Sequence, residues 1–523
     1  MEVPKKDHGQ KEVIEAKERE VNNLKDFDTF EEVAEDGQKK VGSRWVITKK
    51  EKQDGQKTDY KARIVAKGFH EEEKPQSDSP TAMRESVKPF LAIAANQGFN
   101  LESVDIRAAF LQSNPLDRDV FIEPPKDLKK ENIIWKLKKP LYGLDDASRK
   151  FWLRMKELFG KMGLKTVTGD EAFYYRHSDN KLEGMILSHV DDFNVAGTEK
   201  FLCEIREMLK KELSVSKLEK NKFRFTGVDI EKNENGITIS MEEYAESLEL
   251  IEEIRAAPLD ELLTKIENKM YRKYTGKLSW LAANTRPDLA IDALEMSKKN
   301  ANATLRDLKK VNKVLSRVKD KPCRVEFSKV SDINDLMLLG VTDASHINDG
   351  LSTGGTIIMM GSKRDKRVVP ISWRSKTIKR VCHSAKAAET RSMVAILDDS
   401  QFYAGQMEQL LFGNKGRKLP IKLFTDSKPL LESISSTHQV EEKMLRNSIT
   451  DMKDALYEKR ITSYSWLDGE KDMVADVMTK VSKDNQDLSD IVLRNRWRNA
   501  FNEDNVVKNN EGEIKMFNRK NKV

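Results

Sequence analysis

Two carboxylates stand side by side in SHVDDFNVAG (residues 188–197), where Asp191 and Asp192 fall between the apolar residues Met185, Ile186, Leu187 and Val190 and the run from Phe193 to Ala196. Apolar runs of this length read as two strands, with the acids at the turn that joins them. The pair is either a solvated hairpin tip or part of a metal site. A third carboxylate favours the metal site. In ESVDIRAAFLQ the apolar run ends at Asp105 and a helical stretch begins, which exposes that side chain at a strand terminus. Asp105, Asp191 and Asp192 converging on one cleft would repel one another unless divalent cations neutralised them. Hard oxygen ligands suit magnesium, and two such ions about 3.5–4 Å apart serve in-line phosphoryl transfer.

A second acidic set lies downstream. Asp343 ends the apolar run LMLLGVT, Asp426 ends IKLFT, Glu389 sits in the helical SAKAAETRSMVAIL, and Asp476 sits in DMVADVMTK. Each alone reads as a surface acid; together they form the donor set of a two-metal centre for phosphodiester hydrolysis. Helical spacing puts Ala385, Ala388 and Ser392 on neighbouring faces, so this helix can pack close to the strands that end in Asp343 and Asp426. Other side chains suit a nucleotide. Phe110, five residues after Asp105, closes over a sugar or fills the core. Lys61 and Arg63, two apart in DYKARIVAKGF, share one strand face and either meet a triphosphate or form a solvated edge.

These residues need elements to hold them. Residues 1–40 read as a charged lead-in with a solvated helix from Val13 to Leu24, and structure begins near VGSRWVITKK. Strand-like runs alternate with helical ones through Ile239. From Met241 to about Val318 the pattern turns helical, and a second mixed segment runs from about Asp335 to Lys480. The layout is an α+β domain, a helical connector and a second α/β domain.

The chain has 523 residues, enough for two to four domains at roughly 100–200 residues each. Hydrophobic residues make up 38% and charged residues 34%, which describes a globular protein with a densely charged surface. Net charge is +7, carried by interspersed Lys and Arg apart from short runs such as the terminal RKNKV, and this favours a polyanionic partner weakly. Cys203, Cys323 and Cys382 stand far apart and make no CxxC, which argues against a disulfide framework or a Cys-based zinc site and for a reducing, intracellular compartment. No run reaches about 18 apolar residues, so no membrane is expected as a partner.

Taken together, the motifs resemble the reverse transcriptase and ribonuclease H region of a copia-type LTR retrotransposon Pol polyprotein, from about Lys11 to Lys480. The similar segments occur in family order: RWVITKKEKQDGQKTDYKARIVAKGF, SDSPTAMRES, ESVDIRAAFLQ, VFIEPP, WKLKKPLYGLDDASRKFW, HVDDFNVAG, TRPDLA, VTDASH, ISWRSKTIKRVCHSAKAAET, FTDSKPLLESISST and VADVMTK. The resemblance implies a right-hand polymerase followed by an α/β ribonuclease H-like domain. It divides the chain into a lead-in (1–40), fingers and palm (41–240), a helical thumb and connector (241–334), a ribonuclease H-like domain (335–482) and a basic tail (483–523).

Residue by residue, the resemblance implies that Asp105, Asp191 and Asp192 bind the polymerase metals and that Asp343, Glu389, Asp426 and Asp476 bind those of the ribonuclease. Phe110 matches the position that excludes a ribose 2′-hydroxyl. Lys61 and Arg63 match residues that meet the incoming triphosphate, and Gly143 in LYGLDDAS falls where the backbone approaches the nucleotide. Two Mg2+ (or Mn2+) ions per site are implied, with an RNA template, a DNA primer, dNTPs, an RNA:DNA hybrid and other parts of Gag-Pol as partners. A cytoplasmic location in virus-like particles, or a nuclear one, follows.

The chain also departs from the pattern. His189 replaces an aromatic residue, commonly Tyr; Ser148 stands where many relatives have Pro; Ala385 and Lys386 replace Thr and an apolar residue. No histidine follows His438, so the loop histidine that many ribonucleases H place before the last Asp is missing. No Asp-Ser/Thr-Gly protease motif, zinc knuckle or integrase zinc pair is present in the sequence, as expected of the C-terminal part of a larger polyprotein or a truncated copy. The alternative to an enzyme is a catalytically silent remnant or a domesticated nucleic-acid-binding protein. Retention of an acid at all seven metal positions favours the enzyme.

Overall fold

The structure is a computed structural model and describes residues 2–517 apart from 5–6, 51–58, 73, 348–349, 414–415, 482–484, 502–505 and 511. The terminal RKNKV run lies outside the described residues. The first unit is a five-stranded sheet of order β1-β6-β5-β2-β3, built from β1 (Phe30–Ala34), β2 (Lys40–Lys50), β3 (Asp59–Ala66), β5 (Phe121–Glu123) and β6 (Ile133–Leu137). The residues read as a lead-in belong to it. Helix α1 (Lys11–Asp26) buries Val13, Ala16, Glu20 and Leu24 at spacings of three and four, and it packs on β3. Only four of its positions are buried and one of them is Glu20, which is why it reads as solvated from sequence.

The second sheet has the order β11-β4-β10-β9-β8-β7. Its strands are β4 (Asn100–Ile106), β7 (Lys165–Val167), β8 (Asp170–Ser178), β9 (Lys181–His189), β10 (Asp192–Gly197) and β11 (Val215–Lys220). Helices α3 (Ala147–Lys161) and α4 (Glu199–Glu212) share one core with Val104, Ile186, Phe193 and Val195. Helix α2 (Arg84–Gln97) joins a second core with Leu101, Phe173, Met185 and Leu187. Alternate residues of the central strands therefore face different helices, and β10 is buried along nearly its whole length.

The segment 241–334 is not wholly helical. Helices α5 (Glu242–Glu246), α6 (Lys265–Asn284), α7 (Ala290–Lys298) and α8 (Leu305–Lys319) are followed by β15 (Arg324–Phe327). That strand returns to complete a sheet of order β12-β13-β14-β15 with β12 (Lys222–Phe225), β13 (Val228–Asn233) and β14 (Gly236–Ser240). Four residues with only two buried apolar side chains, Val325 and Phe327, carry little periodic signal.

The last sheet runs β18-β17-β16-β19-β20-β21-β22. Strands β16 (Leu336–Ser345), β17 (Thr353–Ser362) and β18 (Val368–Thr377) are antiparallel, whereas β19 (Ile421–Thr425) and β20 (Ser463–Trp466) join parallel to β16. Helix α9 (Ala385–Phe412) crosses β16 and β17, with α10 (Lys428–Ser435) and α11 (Arg446–Tyr457) beside it. The expected basic tail instead extends this domain. Helix α12 (Gln486–Arg494) buries Leu488 and Ile491, Trp497 packs edge-on to Phe424 at 5.1 Å, and β21 (Val506–Asn510) with β22 (Glu513–Phe517) adds a hairpin to the sheet. Among the described residues, its Arg494, Arg496, Arg498, Lys508 and Lys515 are exposed while the apolar sides of these elements are buried.

Candidate active sites

The first site sits at the end of the second sheet. Strand β10 pairs with β4 so that Asp192 lies opposite Asp105, and with β9 so that Asp192 also lies opposite His189. Only Val190 and Asp191 connect β9 to β10, and the Ile106 amide donates to the Asp191 carbonyl at 2.9 Å. A two-residue hairpin of this hand places its first residue at positive φ, a position that favours glycine. Here it is Val190 at φ 59°, a β-branched residue in the left-handed region, at a cost of about 1–3 kcal/mol.

Three carboxylates thus stand at one sheet terminus, near enough for their charges to act on one another, although they are not drawn to within 4.8 Å of one another as the acids of the second site are. Burial pushes the Asp192 carboxyl up to about 7, with the Asp105 and Asp191 charges adding to it against a Ser103 hydroxyl at 3.3 Å. Asp191 is also raised by burial and by Asp105, and Arg63 and Lys61 oppose that rise. The Ser216 hydroxyl donates to the Asp105 carboxylate. A cluster that resists full ionisation suits a hard divalent cation, whose charge would offset the repulsion.

Of the residues expected to meet a nucleotide, two come from the first sheet. Lys61 and Arg63 lie on β3, and the Arg63 guanidinium stands 5.1 Å from the centre of the Tyr142 ring. Tyr142 in turn packs on Phe110 at 5.2 Å. Burial raises its hydroxyl to about 12, followed in effect by the Glu20 charge. Phe110 occupies a short turn of helix after Ala108 at φ 48° and is half-buried against both neighbouring cores. Tyr142 was not singled out from the sequence; its only signal is its place beside Gly143 in the LYGLDD motif. Gly143 has φ 89°, and a Cβ there would stand 2.2 Å from the Ala66 carbonyl oxygen. Contact with β3 therefore accounts for the glycine, and this contact ties the turn to the strand that carries Lys61 and Arg63.

The second site lies in the last sheet. Parallel pairing of Val341 with Phe424 brings Asp343 and Asp426, each two residues further on, to the same end. Glu389 reaches them from α9. One ligand atom from each of the three lies within 4.8 Å of the others. Glu389 Oε1 accepts from the Ala344 amide at 3.0 Å, while its buried Oε2 has no hydrogen-bond partner. Burial and the charges of Asp343 and Asp426 push the Glu389 carboxyl up to about 9, and Asp343 rises to about 6 through burial. An all-oxygen set with one unsatisfied buried oxygen fits a divalent metal.

Asp476 is fully buried beside this trio, and Lys480 Nζ donates to its Oδ1 at 2.6 Å. The small residues on α9 act as expected with one exception. Ser392 bonds Thr342 at 2.7 Å and the Asp343 carbonyl at 3.2 Å, and Ala388 is buried, but Ala385 is exposed in the first turn. Gly354 matters as well, since a Cβ there would meet Ser392 Oγ at 2.8 Å.

Paired acids at a hairpin of one sheet, followed by a mixed-sheet domain with its own acidic trio, mark the right-hand polymerase plus ribonuclease H-like fold class. A solved foamy viral protease-reverse transcriptase in complex with double-stranded DNA shares the fold, with TM-score 0.53 and 13% identity over 88% of this chain and 70% of that one. Residues 27–258 match the family described as reverse transcriptase (RNA-dependent DNA polymerase). The Pol polyprotein of transposon RE1 from Arabidopsis thaliana is 27% identical over 392 residues, 71% of this chain and 26% of that protein. That of transposon TNT 1-94 from Nicotiana tabacum is 26% identical over 416 residues, 72% of this chain and 30% of that protein. The chain is similar to copia-type retrotransposon Pol polyproteins over about seven-tenths of its length, and it spans less than a third of the length of these curated relatives.

Proposed function

We propose that this chain copies retrotransposon RNA into DNA, using RNA and then DNA as template, and cuts the RNA of the resulting hybrid at a second centre. The observation that carries the reading is the cross-strand pairing of Asp192 with Asp105, with Asp191 in the adjoining turn. Asp105, Asp191 and Asp192 would hold the polymerase cations; Asp343, Glu389 and Asp426 would hold the ribonuclease cations, with Asp476 at their edge. Magnesium, for which manganese can substitute, supplies neutralisation of charge at phosphorus and activation of the attacking oxygen when bound, two ions per site.

The chain's own residues do the rest. Lys61 and Arg63 meet the triphosphate of an incoming dNTP, with Arg63 braced over Tyr142. Phe110, supported by the same ring, fills the space a ribose 2′-hydroxyl would need. The primer 3′-hydroxyl is the nucleophile of the first reaction and water that of the second, and positioning of both is the main contribution of the protein. Glu389, held by the Ala344 amide, aims a free oxygen into the second centre. No helix among the described residues is long and apolar enough to cross a membrane, and we place the reactions in cytoplasmic particles or the nucleus, together with other parts of the polyprotein.

The test is extension of a DNA primer on an RNA template by the purified chain with Mg2+ and dNTPs. Extension, followed by shortening of the RNA strand, is expected. Hybrid binding without either reaction would mark a silent, nucleic-acid-binding remnant.

A further inference from the structure

Helix α1 carries one acid in its buried stripe. Its buried positions are Val13, Ala16, Glu20 and Leu24, and Glu20 is 7% exposed. An apolar side chain would fill that place without the cost of desolvating a carboxylate. Burial pushes the Glu20 carboxyl up, and the Ile64 amide, the Asn23 side chain and the charges of Arg63 and Lys61 draw it back. Glu20 belongs to neither acidic centre, and α1 precedes residues 27–258, which match the reverse transcriptase family.

The acid faces the strand expected to meet a triphosphate. Strand β3 is an end strand of the first sheet, so its outer backbone groups need partners from outside the sheet. Helix α1 supplies two of them: Arg19 donates to the Tyr60 carbonyl at 3.2 Å, and Glu20 Oε1 accepts from the Ile64 amide at 3.4 Å. The Ala66 amide donates to the Tyr142 carbonyl at 2.7 Å. Lys61 and Arg63 therefore lie on backbone that is held at residues 60, 64 and 66. Arg63 has a buried Nε with no hydrogen-bond partner, and its guanidinium stands 5.1 Å from the centre of the Tyr142 ring. The Glu20 charge acts on both Arg63 and Tyr142. A row of Glu20, Arg63, Tyr142 and Phe110 thus leads from α1 to the side chain assigned to the sugar.

We propose that Glu20 is a positioning residue for the incoming nucleotide: fixed by the Ile64 amide, its carboxylate holds the Arg63 guanidinium against Tyr142, so that Arg63 is already ordered when a triphosphate arrives. Ordering a long side chain beforehand removes a cost that binding would otherwise carry. The inference rests on the proposed polymerase function for its ligand, and Glu20 acts through Arg63 rather than on the nucleotide.

The experiment compares the full-length wild type with Glu20→Gln, Glu20→Asp, Arg63→Gln and the Glu20→Gln/Arg63→Gln double variant. Two quantities are measured: primer extension, and equilibrium binding of a fluorescent dATP analogue to the chain on a template with a chain-terminated primer. Gln keeps the size and the acceptor for the Ile64 amide and discards the charge. Glu20→Gln is expected to raise KM for dATP about fivefold with kcat within about twofold of wild type, the pattern of lost binding. Its Tm should not fall, and cleavage of RNA in a hybrid should continue. Glu20→Asp should recover part of the affinity. The double variant should bind no more weakly than Arg63→Gln alone, because the two residues act as one unit.

A KM for Glu20→Gln equal to or below that of the wild type would overturn the inference, since loss of the anion would then leave triphosphate binding unchanged or improve it. Additive losses in the double variant would also overturn it. So would a lower Tm with parallel losses of extension and hybrid cleavage, the signature of a residue that only supports the fold. If the wild type binds the dATP analogue without extending primers, the polymerase reading fails and the binding comparison still decides the role of Glu20. A wild type that does neither would overturn both.

Discussion

Asp192 on β10 is the direct cross-strand partner of Asp105 on β4, so two carboxylates from segments nearly 90 residues apart share one sheet end. Replacing Asp105 with Asn should reduce primer extension to background while cleavage of the RNA strand continues, because the second centre uses other residues. Extension within a few-fold of wild type would show that Asp105 only ends a strand.

Phe110 packs on Tyr142 at 5.2 Å. If it also fills the space of a 2′-hydroxyl, Phe110→Ala will admit ribonucleotides far more readily and leave dATP use mostly intact. Competition of ATP with dATP on one template measures the ratio, and an unchanged ratio would make Phe110 a core residue.

Glu389→Gln keeps size and the Ala344 hydrogen-bond acceptor but removes the charge. Release of short fragments from RNA annealed to DNA should fall sharply, with primer extension on the same preparation preserved. Loss of both would mean that the fold was damaged.

The raised acids set a pH dependence for the metal-free protein. Asp192 moves from 3.8 to about 7 and Glu389 from 4.5 to about 9. In this window the folded state holds more protons than the unfolded one, so these groups lower stability as pH rises from about 4 to about 9. Thermal denaturation should show Mg2+ raising Tm more at pH 8 than at pH 5. Equal shifts at both pH values would argue against a cation at these clusters.

At Gly143, a Cβ would stand 2.2 Å from the Ala66 oxygen and φ is 89°. Gly143→Ala should cost more than about 1 kcal/mol. By displacing β3 it should also raise KM for dNTP through Lys61 and Arg63, while hybrid cleavage is spared. Steady-state kinetics and denaturant titration check the two effects separately.

The strand ends and helices that carry the seven acids, and the α+β order, were legible because each is a local signal, an apolar run ending in a carboxylate or a helical period around a glutamate. The family's motifs then joined them. Less was legible where the signal was short or shared: α1 has four buried positions in a charged helix, β15 has four residues, and α12 with β21 and β22 carries basic residues outside and apolar ones inside.

By itself the sequence determined which side chains are available for chemistry and roughly which strand or helix carries each, since those depend on residue type and periods of 2 and 3.6. Only the tertiary structure decided which of them meet. Register set Asp192 against Asp105, parallel pairing brought Asp343 level with Asp426, and Asp476 came to rest on Lys480 beside the tight trio. Docking of β18 against α2 and α7 buried Lys88 beside the Trp373 ring. Such contacts join residues far apart in the chain and depend on how packed faces fit, which no local pattern encodes.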